Sequence, residues 1–505
     1  MLRILLVNTS SNLLLMFIKL ATTFVMTPIF VRNLGNYDYG LWEMIVGIIG
    51  YMGMLDLGIR PAISRFASKY QALNDKENLN LVFSSTLTFM FFVGLILLVF
   101  FSLWGFWFSS TLSPTGEPEQ RYTLLLLILA AQLLFEFPGY VAESYLEGFQ
   151  KYYLKNYISI ISIIVSSIIL YNNINPENGI VLLAGVSAIA ISIKYVFFFF
   201  ILAHSRYGGI RYSVRDFSRS KLIEVVRFGF KSFIQGIATR VEVATDTLII
   251  GFFLGPAIVP FYSIPANLVQ HLRTIGWTLT HAFMPLFSNL DASSRDEEIK
   301  KVYLLSSKYI VGLILAMACG VAVIAGPFLS IWIGEEFQEK GEVIIYFLIF
   351  FTAFPFLNPL FSRYLTAIGQ HGILAKLMPI SALINIVLSL MLVESYGIVG
   401  VAFASTVPVL IFVPLYLHFT CKHLGVTIRH YIQSCIVPCI IPTIFLTIVA
   451  VTIRQEWLLD NYAEIIATVV TSGMVWLVAF WLTAMNADEK EVFISFFKEK
   501  FNISR

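Results

Sequence analysis

Residues 27–66 read TPIFVRNLGNYDYGLWEMIVGIIGYMGMLDLGIRPAISRF. An apolar run ends at Arg32, a short turn follows at Asn33-Leu34-Gly35-Asn36, and a second apolar run starts near Gly40. Two apolar runs of this length joined by so short a turn predict a transmembrane hairpin. The same pattern returns from Thr247 as TLIIGFFLGPAIVPFYSIPAN. Thr27 maps onto Thr247 and Gly35 onto Gly255, each 220 residues on (247 − 27 and 255 − 35), and Trp42 then falls on Tyr262. The register continues with small gaps. VGLIL at Val93–Leu97 recurs at Val311–Leu315, and FSLW at Phe101–Trp104 resembles LSIW at Leu329–Trp332. Tyr145-Leu146 recurs as Tyr364-Leu365, and Gln150 with Lys155 as Gln370 with Lys376. The chain therefore carries a duplicated membrane unit, the organisation of carriers that hold substrate between two halves.

Composition agrees. The chain has 505 residues, 58% hydrophobic and only 13% charged, with a mean hydropathy of +0.80; a soluble protein of this size carries roughly a quarter charged residues. Apolar segments of about 20 residues recur, long enough to cross the hydrocarbon as helices, in which every backbone group is satisfied internally. The first, Leu13–Val31, lacks a small-residue cleavage pattern and reads as a retained helix. Cys319, Cys421, Cys435 and Cys439 form no CxxC, so neither a disulfide framework nor a metal site is expected. The loops are short and no GxxxxGK[ST] phosphate loop occurs. Enzymatic activity, an organic cofactor and a nucleic-acid partner are therefore not expected.

The hydropathy pattern predicts an all-α integral membrane protein of about fourteen spans, at roughly 9–31, 41–64, 79–104, 122–147, 154–171, 179–203, 223–251, 258–285, 302–332, 343–367, 374–394, 397–421, 430–453 and 463–485. Residues 1–204 form one six-helix lobe, 205–222 a basic linker, 223–422 a second lobe, and 423–505 two extra spans with a tail. Lys69, Lys76, Arg211, Arg215, Arg219, Lys221, Lys300, Lys301, Lys376, Lys422 and Lys490 gather on one side. The other side has Arg32, Arg121, Lys340 and Arg454 among many acids. By the positive-inside rule both termini face the cytoplasm, which requires an even number of spans. The linker RYSVRDFSRSK interleaves basic and apolar residues and reads as a positive-inside loop or an interfacial helix on anionic membrane lipids.

Ionisable residues inside spans are costly and mark function by default. On the seventh helix Arg227, Lys231, Gln235, Glu242 and Asp246 fall within one stripe of about 100°, with Arg240 opposite. Glu242 and Asp246 are four apart. Two carboxylates so placed repel unless one holds a proton or both share a cation, or unless each pairs with a Lys or Arg of another helix. Glu136, Tyr140, Glu143 and Glu147 share a face on the fourth helix; Asn8, Asn12, Lys19 and Thr23 do so on the first. The cations within spans are Lys19, Arg60, Arg65, Lys231, Arg240, Arg273 and Arg363. Arg60 has Asp56 as an alternative partner four residues back, and Arg65 can snorkel from a helix end. Lys19, Arg60, Lys231, Arg273 and Arg363 are the candidate anion-binding set, Arg by bidentate contact and Lys as a point charge. Glu242, Asp246 and Glu143 are the candidates for coupling Na⁺ or H⁺. His271 and His281 read as hydrogen-bonded packing residues, having no Cys partner.

PIFVRNLGNYDYGLW followed by DLGIRPAISRF resembles the amino-terminal signature of bacterial oligosaccharide flippases, and FGFKSFIQGIATRVEVATDTLIIGFFLG with FYSIPANL resembles their central segment. These belong to the polysaccharide transporter branch of the MOP superfamily, together with MATE exporters and lipid II flippases. The resemblance implies two six-helix lobes in a V plus two further helices. It implies movement of an undecaprenyl-diphosphate-linked oligosaccharide, such as an O-antigen, capsule or exopolysaccharide unit, across the bacterial inner membrane from the cytoplasmic to the periplasmic leaflet. It implies polysaccharide polymerase or export proteins as partners, and a cationic cavity that Lys19, Lys231, Arg273 and Arg363 could line. The acids on the fourth and seventh helices leave a Na⁺- or H⁺-coupled MATE-type drug exporter as the alternative. An integral-membrane glycosyltransferase would need a large extracytoplasmic loop, which is absent from the sequence.

Overall fold

The computed structural model describes the backbone of residues 2–112, 119–204, 208–457 and 459–500; the side chains of 2–5, 108–112, 119, 231–232, 234–244, 371 and 496–500 lie outside that description. Among the described residues the regular secondary structure is helical throughout. The α-helices are α1 Leu2–Met52, α2 Ile59–Ala72, α3 Lys76–Leu112, α4 Glu119–Gly148, α5 Tyr152–Asn173, α6 Gly179–Ala203, α7 Arg219–Leu254, α8 Pro260–Thr280 and α9 Phe283–Ala292. They continue with α10 Asp296–Trp332, α11 Glu335–Ala353, α12 Phe361–Ala367, α13 His371–Leu424, α14 Ile428–Tyr431, α15 Val437–Glu456, α16 Tyr462–Thr483 and α17 Ala487–Lys500. Ten helices among the described residues are long and apolar enough to cross a membrane. The protein is an all-α, multi-pass membrane protein. Two of those ten are each bent at one glycine, α1 at Gly35 and α13 at Gly397.

The internal repeat is visible in the backbone itself. Gly35 stands at φ 73°, ψ 169° and Gly255 at φ 90°, ψ 157°, a region open to glycine and almost nothing else. Asn74 and Ser294, again 220 apart, both hold positive φ, and each is followed by the same closing bond, Asp75 N to Tyr70 O and Arg295 N to Leu290 O. The pair Gln150 and Gly369 repeats the device: Lys151 N donates to Leu146 O, and Gln370 N to Leu365 O. Each is a helix C-terminus closed by a left-handed residue, which satisfies carbonyls that the ending helix would orphan.

Several predicted spans are broken where the sequence carries Gly or Pro. The helix expected over 41–64 gives way to a 3₁₀ turn at Gly53–Asp56 and left-handed Leu57 and Gly58, where the Asp56 carboxylate accepts the Gly58 N–H at 2.8 Å. Asp56 therefore caps the chain, and Arg60 reaches elsewhere. The expected 258–285 helix is divided into α8 and α9, and 343–367 into α11, a 3₁₀ turn at Phe354–Leu357 and α12. Pro355 and Pro359 remove N–H groups there, which ends helical bonding. The basic linker, described from Gly208, carries one 3₁₀ turn, Val214–Asp216, and becomes α-helical only at Arg219. Its backbone is pinned along α3: Arg211 N donates to Asn80 Oδ1, Ser213 N to Ser84 Oγ and Ser218 N to Ser85 Oγ at 2.8–3.2 Å.

The chain divides into two compact units, Met1–Ala244 and Thr245–Arg505, so that α7 contributes to both. In the second unit the two helices outside the repeat, α15 and α16, pack on α10 through Val311, Cys439, Leu446, Trp476 and Phe480. The C-terminal α17 is tied to the same helix. Lys308 on α10, only 4% exposed, places Nζ 2.6 Å from both oxygens of Glu489 and 3.0 Å from Ala484 O.

Candidate functional site

In the first unit α4 is the axis of a charged cluster. The period of 3.6 residues sets Glu136, Tyr140, Glu143 and Glu147 on one face, and α2, α5 and α6 supply cations to it. Glu143 is contacted by Arg60 Nη2 at 3.5 Å and Lys155 Nζ at 3.4 Å. Lys155 also pairs with Glu147 at 2.6 Å, and Tyr195 OH lies 3.5 Å from Glu143 Oε2. The Arg60 guanidinium stacks over the Tyr140 ring at 4.2 Å, and Lys194 over Tyr195 at 4.2 Å, contacts that ring quadrupoles favour. Tyr140 OH donates to Glu136 Oε1 at 2.7 Å and Gln132 Nε2 to Glu136 Oε2 at 3.0 Å. Gly139 makes this possible, because a Cβ there would lie 2.2 Å from the Tyr195 ring.

The polar face of α1 is divided in use. Asn8 donates to Gln150 O, and Asn156 of α5 donates to Ser11 Oγ and Asn12 Oδ1, so the first turns are consumed in holding α5. Lys19, two turns further on, is exposed and makes no ion pair among the described residues. Within the cluster Arg60, Lys155 and Lys194 stand against Glu136, Glu143 and Glu147, a balance of 3 − 3 = 0. The structure thus brings Arg60 and Glu143 together as an ion pair, and Glu143 is held by two cations. Lys194 escaped the sequence reading although its signal was there: it is the lone charge in the apolar run of α6.

In the second unit Asp246 is 5% exposed. Its Oδ2 accepts Tyr262 OH at 2.6 Å and Ser405 Oγ at 2.8 Å, and Ser389 Oγ lies 3.5 Å from Oδ1. Asn385 Nδ2 donates onward to Ser405 Oγ at 3.1 Å, while the buried Asn385 Oδ1 has no hydrogen-bond partner among the described residues. Ser405 also lies 3.3 Å from Val401 O, so its one proton is shared between two acceptors. Among the described residues every donor to Asp246 is neutral and no Lys or Arg pairs with it. Among the described residues hydroxyls of α8 and α13, and no interhelix Lys or Arg, contact Asp246. A carboxylate so buried needs a proton or a cation as its counter-charge. Asn385 and Ser389 escaped the sequence reading although they stand four apart on one face of α13, and Ser405 lies further along the same apolar helix.

Arg273 and Arg363 make their contacts outside Asp246's shell. The Arg273 guanidinium stacks over Trp277 at 4.7 Å and Phe351 at 5.6 Å. Arg363 Nη2 is 3.4 Å from His281 Nε2. Asn358 is buried between Tyr303 OH at 2.6 Å and Thr420 Oγ1 at 3.3 Å. Lys231, Arg240 and Glu242 lie outside the described side chains.

Comparison with known proteins places this architecture. The Bacillus subtilis uncharacterized membrane protein EpsK is 22% identical over 98% of both chains. A putative O-antigen transporter of Shigella flexneri is 24% identical over 75% of this chain and 89% of its own. Among solved structures, lipid II flippase MurJ in an inward closed conformation aligns with a TM-score of 0.69 at 15% identity, covering 92% of this chain and 98% of its own. An inward-facing MATE family transporter of the MOP superfamily aligns at 0.67 and 15% identity, covering 80% and 94%. These similarities establish the MOP-type fold. The model of the polysaccharide biosynthesis protein family matches residues 5–291, more than half of the 505, and the chain belongs to that family.

Proposed function

We propose that this protein is a flippase that moves an undecaprenyl-diphosphate-linked oligosaccharide from the cytoplasmic to the outer leaflet of the bacterial inner membrane by alternating access. The carrying observation is that Lys19 on α1, which is exposed, and Lys194 on α6 make no ion pair among the described residues. A diphosphate moving through hydrocarbon needs such partners, since an unpaired anion there costs several kcal/mol. The family, and relatives described as an O-antigen transporter and a lipid II flippase, support this reading. In this scheme Lys19 and Lys194 meet the diphosphate as point charges, and Arg60 is held ready by Glu143. The cytoplasmic termini inferred from loop charge place the basic linker at the loading leaflet.

The Asp246 shell suits coupling to a monovalent cation or a proton. Asp246, Asn385 Oδ1, Ser389, Ser405, Tyr262 and the Val401 carbonyl offer oxygen ligands without a competing positive charge, the hard donors that Na⁺ prefers. Bound there, the cation would neutralise the carboxylate, and its release would restore the charge.

The test is reconstitution of the full chain in proteoliposomes with a fluorescent undecaprenyl-diphosphate oligosaccharide in the loading leaflet. Appearance of label in the opposite leaflet, driven by an imposed Na⁺ or pH gradient, is expected. Transport of cationic dyes with no movement of the lipid-linked sugar would replace this reading with the exporter.

A further inference from the structure

Two adjoining grooves, both open at the surface, lie on the second unit between α10, α11 and α15. One, of about 470 Å³, is lined by Val323, Val451, Arg454 and Gln455. The other, of about 330 Å³, is lined almost wholly by apolar side chains, among them Leu315, Cys319, Phe350 and Leu357. Ala322 and Tyr346 line both, so the two share a boundary. Each volume falls in the range of about 300–1,000 Å³ common to ligand sites.

Arg454 and Tyr346 line the polar end, and Glu342 borders it through bonds to both without lining it. Arg454 Nη1 donates to Val323 O at 2.9 Å and Nη2 to Glu342 Oε1 at 3.0 Å. Tyr346 OH donates to the same Oε1 at 2.6 Å, which leaves Glu342 Oε2 to other donors. A Cβ on Gly326 would stand 2.3 Å from Oε2, so glycine at that position admits the carboxylate. Both charged side chains keep surface, Arg454 31% and Glu342 19%. The apolar end runs from Tyr346 to Leu357, eleven residues and about 16 Å of helical rise. That is close to the depth of one leaflet, half of a hydrocarbon core of about 30 Å.

We propose that this double groove binds one membrane phospholipid with a zwitterionic headgroup, its phosphate at Arg454, its ammonium at Glu342 Oε2, and an acyl chain in the apolar groove. An Arg–Glu pair is neutral as a whole and matches a phosphate joined to an ammonium. An anionic headgroup would satisfy Arg454 but set its extra charge against Glu342, and that repulsion supplies the discrimination. The lipid belongs to the leaflet into which the Ile333–Gly334 turn opens, the outer one in the topology proposed above. Its binding is independent of the nature of the transported substrate.

The full chain, purified in mild detergent, is exposed to phosphatidylethanolamine or phosphatidylglycerol with matched acyl chains and examined by native mass spectrometry. One phosphatidylethanolamine should be retained, with at least several-fold preference over phosphatidylglycerol. Glu342→Gln should erase that preference, and Ala322→Phe, which blocks the shared boundary, should abolish retention. Cys319 gives a second readout on the unaltered chain: phosphatidylethanolamine should slow its alkylation by an apolar maleimide severalfold. That measurement decides the matter if Ala322→Phe does not fold. Equal retention of the two lipids, retention unchanged in Ala322→Phe, or alkylation of Cys319 indifferent to lipid overturns the proposal. Displacement by undecaprenyl phosphate would assign the groove to a substrate chain and overturn it as well.

Discussion

Lys308 and Glu489, 181 residues apart in sequence, form a buried pair in which Nζ sits 2.6 Å from both carboxylate oxygens. Tyr309 OH adds a contact to Glu489 at 3.3 Å, and Asn486 N caps the same carboxylate at 3.1 Å. Helix α17 is thus fastened to α10 by the counter-charge of a lysine that is 4% exposed. Removing one partner of a buried pair leaves an uncompensated charge, at a cost of about 3–5 kcal/mol. Glu489→Ala should lower the thermal midpoint and the folded yield in fluorescence-detected gel filtration. Adding Lys308→Met should recover much of the loss, since an apolar replacement leaves no orphaned charge. A double variant no better than Glu489→Ala would show that α17 is held by other contacts.

Asp246→Asn keeps the shape of the site and removes the charge. The hydroxyls of Tyr262 and Ser405 can still bond to the amide oxygen, so the variant should fold and bind substrate. Transport should then no longer respond to an imposed Na⁺ or pH gradient, while Ser405→Ala should weaken the response without abolishing it. Gradient dependence unchanged in Asp246→Asn would reduce this carboxylate to a packing element.

Lys19→Ala and Lys194→Ala remove cations that the proposed diphosphate would meet. Each charge-assisted contact is worth about 1.5–3 kcal/mol, so initial flipping rates should fall roughly ten- to hundredfold. Lys→Arg at either position should retain more activity than Ala. Lys231→Ala is expected to behave in the same direction. Wild-type rates in a well-expressed Lys19→Ala, Lys194→Ala double variant would exclude both as headgroup contacts.

Gly139 and Gly255 are required for different reasons, and alanine separates them. At Gly255 an added Cβ meets nothing within 4 Å, so the cost is backbone strain alone, about 1–3 kcal/mol. At Gly139 the Cβ collides with the Tyr195 ring. Gly255→Ala should lower stability while activity per folded molecule persists. Gly139→Ala should displace Tyr195 from Glu143 and depress transport even in the folded fraction. Thermal midpoints and specific activities measured side by side check the contrast.

Asp75 lies in the turn before α3, outside the spans, and accepts Asn78 N at 3.0 Å and Asn78 Nδ2 at 2.6 Å. These bonds, the backbone one first, hold its carboxyl below the ordinary carboxylate value. A lowered folded value means that the stabilisation is complete above the unfolded pKa and is lost as pH falls through the folded one. Between neutral and mildly alkaline pH it should be constant. Asp75→Asn should flatten the acid limb of a stability–pH profile and leave the alkaline limb unchanged.

The sequence by itself determined the class and the duplication. Span-length apolar runs dictate helices because hydrocarbon offers the backbone no partners. The 220-residue register exposed Gly35 and Gly255 as equivalent because only glycine holds that φ and ψ, so the chemistry of the turn is written in one letter. The stripe on α4 was legible for the same local reason, a period of 3.6 residues. Tertiary structure decided what each polar group does. Arg60 could have paired with Asp56 four residues back; the left-handed turn at Leu57–Gly58 broke that helix, and Glu143 of α4 received it. Asp246 found its shell in Tyr262, Ser389 and Ser405, up to 159 residues distant, and Lys308 found Glu489. Partners of this kind are chosen by which helices pack together, and a local pattern along one helix carries no information about its neighbour.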